Sequence, residues 1–256
     1  MKQIFILLFL CAQFSVSHGQ WKLVWSDEFD TPGQPDPAKW GYDIGGHGWG
    51  NGEKQLYTRA DTNNAVVRGG SLFITARQTS EGKYTSARLL TKNKGDWKYG
   101  RIEVRAKLPK GRGIWPAIWM LPTDWAYGDW PSSGEIDIME FVGYLSDSLY
   151  ASVHTEAYNH SIGTQKTRPV FLPGTSEQFH VYAVEWLENS MVFKIDDRTV
   201  FQFKQEKDDP TVWPFDQRFH LLLNVAVGGN WGGQKGIDNS IFPQTMEIDY
   251  VRVSQQ

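Results

Sequence analysis

At 256 residues, with 40% hydrophobic and 21% charged side chains, the chain is long enough for one large β domain or two small ones and too apolar for a disordered segment. A formal net charge of −3, with no cluster of Lys and Arg, excludes a nucleic-acid footprint and leaves a neutral or small partner. The first residues read as an export signal: Lys2 supplies a positive charge, Ile4 to Phe14 an apolar run, and Ser15, Ser17 and Gly19 the small residues of a cleavage site. The apolar run is shorter than the roughly 20 residues that span a bilayer. Residues 1–19 are therefore expected to be a signal peptide and 20–256 a single secreted domain. Cys11 is the only cysteine, so the exported domain must hold its fold without disulfides.

The Gly- and Pro-rich stretch Thr31–Asn51 reads as a loop. Strand patterns then follow at Ser71–Gln78, Thr85–Leu90, Tyr99–Leu108, Ser133–Val142, Leu149–His154, His180–Leu187, Met191–Ile195, Thr199–Phe203, Phe219–Ala226 and Thr245–Val253. The alternation is clearest in the third, where Ile102, Val104, Ala106 and Leu108 take one face and Glu103, Arg105 and Lys107 the other. No helical period is sustained over ten residues. Many short strands with turn signals between them predict an all-β, two-sheet sandwich of the jelly-roll type with a concave cleft.

The segment Ser133-Gly134-Glu135-Ile136-Asp137-Ile138-Met139-Glu140 places three acids on one predicted strand. In a regular strand Glu135 and Asp137 share a face and Glu140 points away. One extra residue, a β-bulge between Asp137 and Glu140, brings all three to one face. Neighbouring carboxylates repel, so ionising one raises the pKa of the next, as a nucleophile paired with a proton donor requires. An exposed acidic strand face is the plain alternative. Calcium would need more convergent oxygens than one strand presents, and zinc a second histidine at ligand spacing. Upstream, Trp115 and Trp119 lie in Gly113-Ile114-Trp115-Pro116-Ala117-Ile118-Trp119-Met120-Leu121-Pro122. Indole faces pack on the C–H patches of sugar rings, so an aromatic groove beside paired carboxylates describes a glycan site. Any one of the twelve tryptophans could instead be core. Trp125, Trp130 and Trp231 stand in Gly- and Pro-rich segments, which argues against all of them being core.

The motif Glu135-Ile136-Asp137-Ile138-Met139-Glu140 resembles the E-x-D-x-x-E signature of glycoside hydrolase family 16. Trp25-Ser26-Asp27-Glu28-Phe29, Tyr99-Gly100-Arg101-Ile102-Glu103 and the Trp115–Pro122 segment are similar to its bacterial laminarinases, and the likeness runs from Trp25 to Val253. The resemblance implies a retaining endo-β-1,3-glucanase of β-jelly-roll fold that also accepts mixed-linkage β-1,3-1,4-glucan. Glu135 matches the nucleophile, Glu140 the acid/base and Asp137 the acid between them. His154 matches a histidine facing the same cleft, and Asn51, Arg88, Trp115, Trp119 and Trp231 fall at substrate-binding positions. Asn51 also reads as a turn residue and Arg88 as a surface one. No cofactor is expected for catalysis. A structural Ca²⁺ held by Glu28, Gly70 and Asp249 is implied by position alone. A monomer acting on a laminarin-like polysaccharide is expected, with a hydrolase of an algal galactan or a glycan-binding lectin as the alternatives.

Overall fold

The computed structural model describes residues 20–256, so the signal-peptide reading lies outside the described residues. Two antiparallel-dominated sheets face each other. The outer sheet runs, in spatial order, through Arg198–Lys204, Ser190–Ile195, His180–Leu187, Gly100–Lys107, Gln244–Gln255, Ser71–Gln78, Tyr84–Ser86 and Gln55–Tyr57. Lys22–Asp27 and Ala65–Arg68 are added beside its path. The inner sheet runs Lys166–Phe171, Ser148–His154, Glu135–Phe141, Ile114–Pro122, Phe219–Val227, Arg88–Leu90 and Gly41–Asp43, with Asp96–Trp97 beside Phe219–Val227.

Alternation sets which face each strand buries. Ile102, Val104 and Ala106 are buried while Arg101, Glu103, Arg105 and Lys107 keep contact with water. Across the sandwich, Phe219, Leu221, Leu223, Val225 and Val227 join the same core. Each such apolar side chain contributes about 1.5–3 kcal/mol by leaving water. The intervening His220, Leu222, Asn224 and Ala226 are buried too, under the floor of the inner sheet's other face. A strand covered on both sides carries a continuous apolar run rather than an alternating one.

Three sequence-based boundaries shift. Thr85–Leu90 is not one strand: Tyr84–Ser86 belongs to the outer sheet and Arg88–Leu90 to the inner, and the small buried Ala87 is where the chain changes layer. Thr31–Asn51 is mostly loop but contributes Gly41–Asp43 to the inner sheet's edge. Ile114–Pro122, read only as an aromatic segment, is a nine-residue strand at the heart of the inner sheet. One face, from Ile114 to Pro122, is buried, while Trp115, Trp119 and Leu121 on the other are half-buried; both faces carry apolar residues, so the strand lacks the apolar–polar alternation that marks a strand in sequence. The inner sheet ends at Lys166–Phe171, whose middle residues Thr167, Arg168 and Pro169 are exposed.

Candidate active site

The acidic strand, Glu135–Phe141, lies between Ile114–Pro122 and Ser148–His154. Against the latter, Asp137 pairs with Ser152 and Glu140 with Tyr150, three residues against two. Against the former, Asp137 pairs with Trp119 and Met139 with Ile118, two against one. The extra residue therefore sits at Ile138–Met139, and both of these side chains are in the core. Glu135, Asp137 and Glu140 are left on the opposite, concave face. A bulge re-aims the residues that follow it, as here it re-aims Glu140.

Each outer carboxylate of the three accepts a hydrogen bond from an indole. Trp130 Nε1 donates to Glu135 Oε2 at 2.7 Å, and Trp115 Nε1 to Glu140 Oε1 at 3.1 Å. Asp137, between them, is buried. Burial first, then the charge of Glu135 and a hydrogen bond shared with it, push the Asp137 carboxyl well above the usual range. Glu140 keeps part of its surface open to the cleft. Its surroundings, followed by the charges of Asp137 and Glu135, likewise raise it well above an ordinary glutamate, against the opposing pull of His154 and the Trp115 N–H. His154 Nε2 approaches Asp137 Oδ2 to 3.2 Å without the alignment of a hydrogen bond, and its Nδ1 is buried with no partner. Glu135, Asp137 and His154 each offer one donor atom within 4.8 Å of the others. Three donors fall short of the six to eight oxygens calcium takes, and the set fits a proton-sharing cluster better.

A carboxyl with a raised folded-state pKa stabilises the fold fully below its unfolded pKa, and that contribution is lost as pH rises through the folded value. Asp137 is such a group. Asp137→Asn cannot ionise and keeps a donor for Glu135. Its melting temperature is expected to match wild type near about pH 4 and to exceed it increasingly toward about pH 9, while activity falls. Melting curves across that range test this; a gap that does not widen with pH would refute a protonated Asp137.

The carboxylates open into a cavity of about 400 Å³ lined also by Asn51, Trp115, Tyr150, His154, His160 and Trp231. Trp231 packs edge-on against both Trp115 and Tyr150, with centroids 5.5 and 5.0 Å away. Glycines bring the walls together: a Cβ at Gly232 would lie 2.8 Å from Trp115, and one at Gly229 3.2 Å from the Asn51 carbonyl. Of the expected sugar-binding residues, Asn51, Trp115, His154 and Trp231 meet at this cavity. Arg88 and Trp119 do not line it. Arg88 is buried, paired with Asp43 at 2.9 Å, its guanidinium stacked 4.7 Å from Trp49 and 4.6 Å from Trp119. Trp119 turns its N–H to Asn224 at 2.8 Å. Both support the floor beside the cavity.

Tyr150, His160, Gln165, Asn230 and Gln234 line the cavity without having been singled out in sequence. Tyr150 was within reach of sequence reasoning, because it shares a strand face with Ser152 and His154 and lies opposite Glu140. His160 opens the short 3-10 turn His160–Ile162 and the others sit in loops, where no periodicity marks them. Two of the three expected calcium ligands, Glu28 and Asp249, have their carboxylates otherwise engaged. The Glu28 carboxylate is forked by Arg252 at 2.8 and 2.9 Å, and Asp249 meets Arg105 at 2.6 Å. Two carboxylates already neutralised by guanidinium groups do not form a ready cation cage, so these side chains do not fit that reading.

The model of the glycosyl hydrolases family 16 matches residues 52–252, and the chain belongs to that family. It is 55% identical over 242 residues to a β-glucanase of Rhodothermus marinus, an alignment covering 91% of this chain and 85% of the relative. It is 36% identical over 268 residues to a glucan endo-1,3-β-glucosidase of Cryptopygus antarcticus, covering 96% of each. Its fold matches the X-ray structure of the Rhodothermus marinus laminarinase with a TM-score of 0.90 at 54% identity, over 92% of this chain and 98% of that one.

Proposed function

We propose that this protein is a secreted, monomeric endo-β-1,3-glucanase that hydrolyses laminarin-like polysaccharides, and mixed-linkage glucan with them, by double displacement. The observation that carries the reading is the bulge that gathers Glu135, Asp137 and Glu140 on one face, where burial and neighbouring charge raise the Asp137 and Glu140 carboxyls. The similarity to β-1,3-glucanases supports the substrate class. The cavity itself supports a neutral glycan: aromatic and amide side chains line it, and neither Lys nor Arg does. A sulfated galactan would need a cation there. A lectin would have no use for three acids on a bulged strand.

In the first step Glu135 attacks the anomeric carbon and Glu140 protonates the departing glycosidic oxygen, forming a glycosyl ester on Glu135. Asp137 holds the nucleophile in orientation through its shared hydrogen bond. In the second step Glu140 removes a proton from water, the water oxygen bonds to the anomeric carbon, and the electron pair of the ester C–O bond returns to Glu135. Two inversions give net retention. Proton NMR early in laminarin hydrolysis is expected to show the β-anomer of the new reducing end first, with the α signal growing only by mutarotation. An α-anomer present from the first spectrum would overturn the double displacement. Parallel digests of laminarin, lichenan, agarose and carrageenan, with product sizing, test the substrate class.

A further inference from the structure

Trp130 is the side chain most closely bound to Glu135, although it stands in a loop before the acidic strand. Its N–H to Glu135 Oε2, at 2.7 Å, is shorter than the Trp115 bond to Glu140. An indole N–H donates only and does not titrate near neutral pH, so it can hold a carboxylate without competing for the shared proton. The ring is fixed from its sides: His160 packs 4.9 Å and His154 6.1 Å from it, centroid to centroid. The loop beneath is pinned as well. Ser133 is fully buried, accepts from the Tyr127 N–H and donates to the Gly128 carbonyl. Gln217 accepts from the Ala126 N–H and donates to the Ser133 carbonyl. A Cβ at Gly134 would meet Phe215 and Pro214 at 2.9 Å, so the loop closes tightly onto the start of the strand.

We infer that Trp130 is a positioning residue for the nucleophile, its N–H aiming the Glu135 carboxylate and stabilising the negative charge that returns to it when water displaces it from the sugar. This rests on Glu135 being the nucleophile. In the second displacement the ester C–O bond breaks, the pair goes to the Glu135 oxygens, and a donor preset 2.7 Å from one of them meets that charge without reorganising. The same donor weakens Glu135 as the attacking group, so its benefit falls mainly on release of the covalent intermediate.

The test uses the full domain and a dinitrophenyl β-laminaribioside, whose reactive leaving group makes release of the sugar from the enzyme the slow step. Trp130→Phe keeps an aromatic ring and removes the N–H. Its kcat is expected to fall about 10- to 100-fold, the range for losing one charge-assisted hydrogen bond. KM should fall with it, and dinitrophenol should appear in a burst equal to the enzyme present. A ring that served only as a sugar platform would raise KM and leave kcat unchanged, and that result would overturn the inference. Should Trp130→Phe melt early, benzothienylalanine placed at residue 130 preserves the bicyclic shape with sulfur in place of the N–H, and the same outcomes apply. Glu135→Ala with added azide separates the two readings. Formation of the α-glycosyl azide, as azide bonds to the anomeric carbon and dinitrophenolate leaves, upholds the nucleophile even if Trp130→Phe leaves kcat unchanged. Unassisted wild-type turnover in Glu135→Ala would overturn both.

Discussion

Glu135→Ala is expected to lower turnover of laminarin by a factor of about 10⁴ or more, the scale on which loss of a covalent nucleophile is felt. The alanine leaves Glu140 free to protonate a departing oxygen, but no group remains to form the ester. Binding should survive, because Trp115, Trp231 and Tyr150 pack against one another rather than on the lost carboxylate. Removing one charge from a crowded acidic cluster also relieves repulsion on Asp137 and Glu140, both raised in part by Glu135. The variant should therefore fold at least as well as wild type. Calorimetric titration with laminarihexaose, alongside a reducing-sugar assay, measures both quantities. Turnover at the wild-type rate would remove Glu135 from the mechanism, and loss of binding with turnover would show that the alanine damaged the cleft.

Loss of the proton donor should produce the second-largest effect, and an uneven one. Glu140→Gln is expected to slow laminarin hydrolysis about 10²- to 10⁴-fold, since a sugar hydroxyl departs badly without a proton. A dinitrophenolate needs no such help, so the first step with that leaving group should be nearly unchanged. The pH profile follows from the same group. Glu140 acts as an acid only while protonated, and burial, Asp137 and Glu135 raise it well above a free glutamate. Wild-type kcat/KM should thus hold through the mildly acidic range and fall on the alkaline side as Glu140 ionises. In Glu140→Gln that alkaline fall should vanish from the residual rate. Equal losses for laminarin and the dinitrophenyl substrate would assign the acid elsewhere.

The sheets were legible where one face meets water. Gly100–Lys107 alternates in sequence and in burial alike, and His180–Leu187 begins and ends where its pattern does. Ile114–Pro122 was hidden because both its faces are apolar, the half-buried Trp115, Trp119 and Leu121 on the cleft side included. Three-residue strands such as Gln55–Tyr57 are too short for any period to register. The bulge could be anticipated because Glu135, Asp137 and Glu140 do not fit one face at strand period, and the two-sided register shift supplies the missing residue. The supporting polar contacts could not. Trp130 reaches Glu135 through a turn, and Arg88 finds Trp49 and Trp119 from separate parts of the chain, so their pairing exists only once the sandwich has closed.

The Lys166–Phe171 strand, outermost in the sheet that carries the acids, also bears on how one copy of the protein meets another. An unpaired strand edge is a template on which a second molecule can add its own strand and seed a fibre. Here Pro169 offers no N–H for such a ladder, and Arg168 with Lys166, the latter paired with Glu206 at 2.9 Å, puts charged side chains along the rim. The rim is thereby kept from zipping onto a second copy. The two residues before and inside this strand that line the cavity, Gln165 and Thr167, therefore keep their place in its wall without a neighbouring copy laid over them.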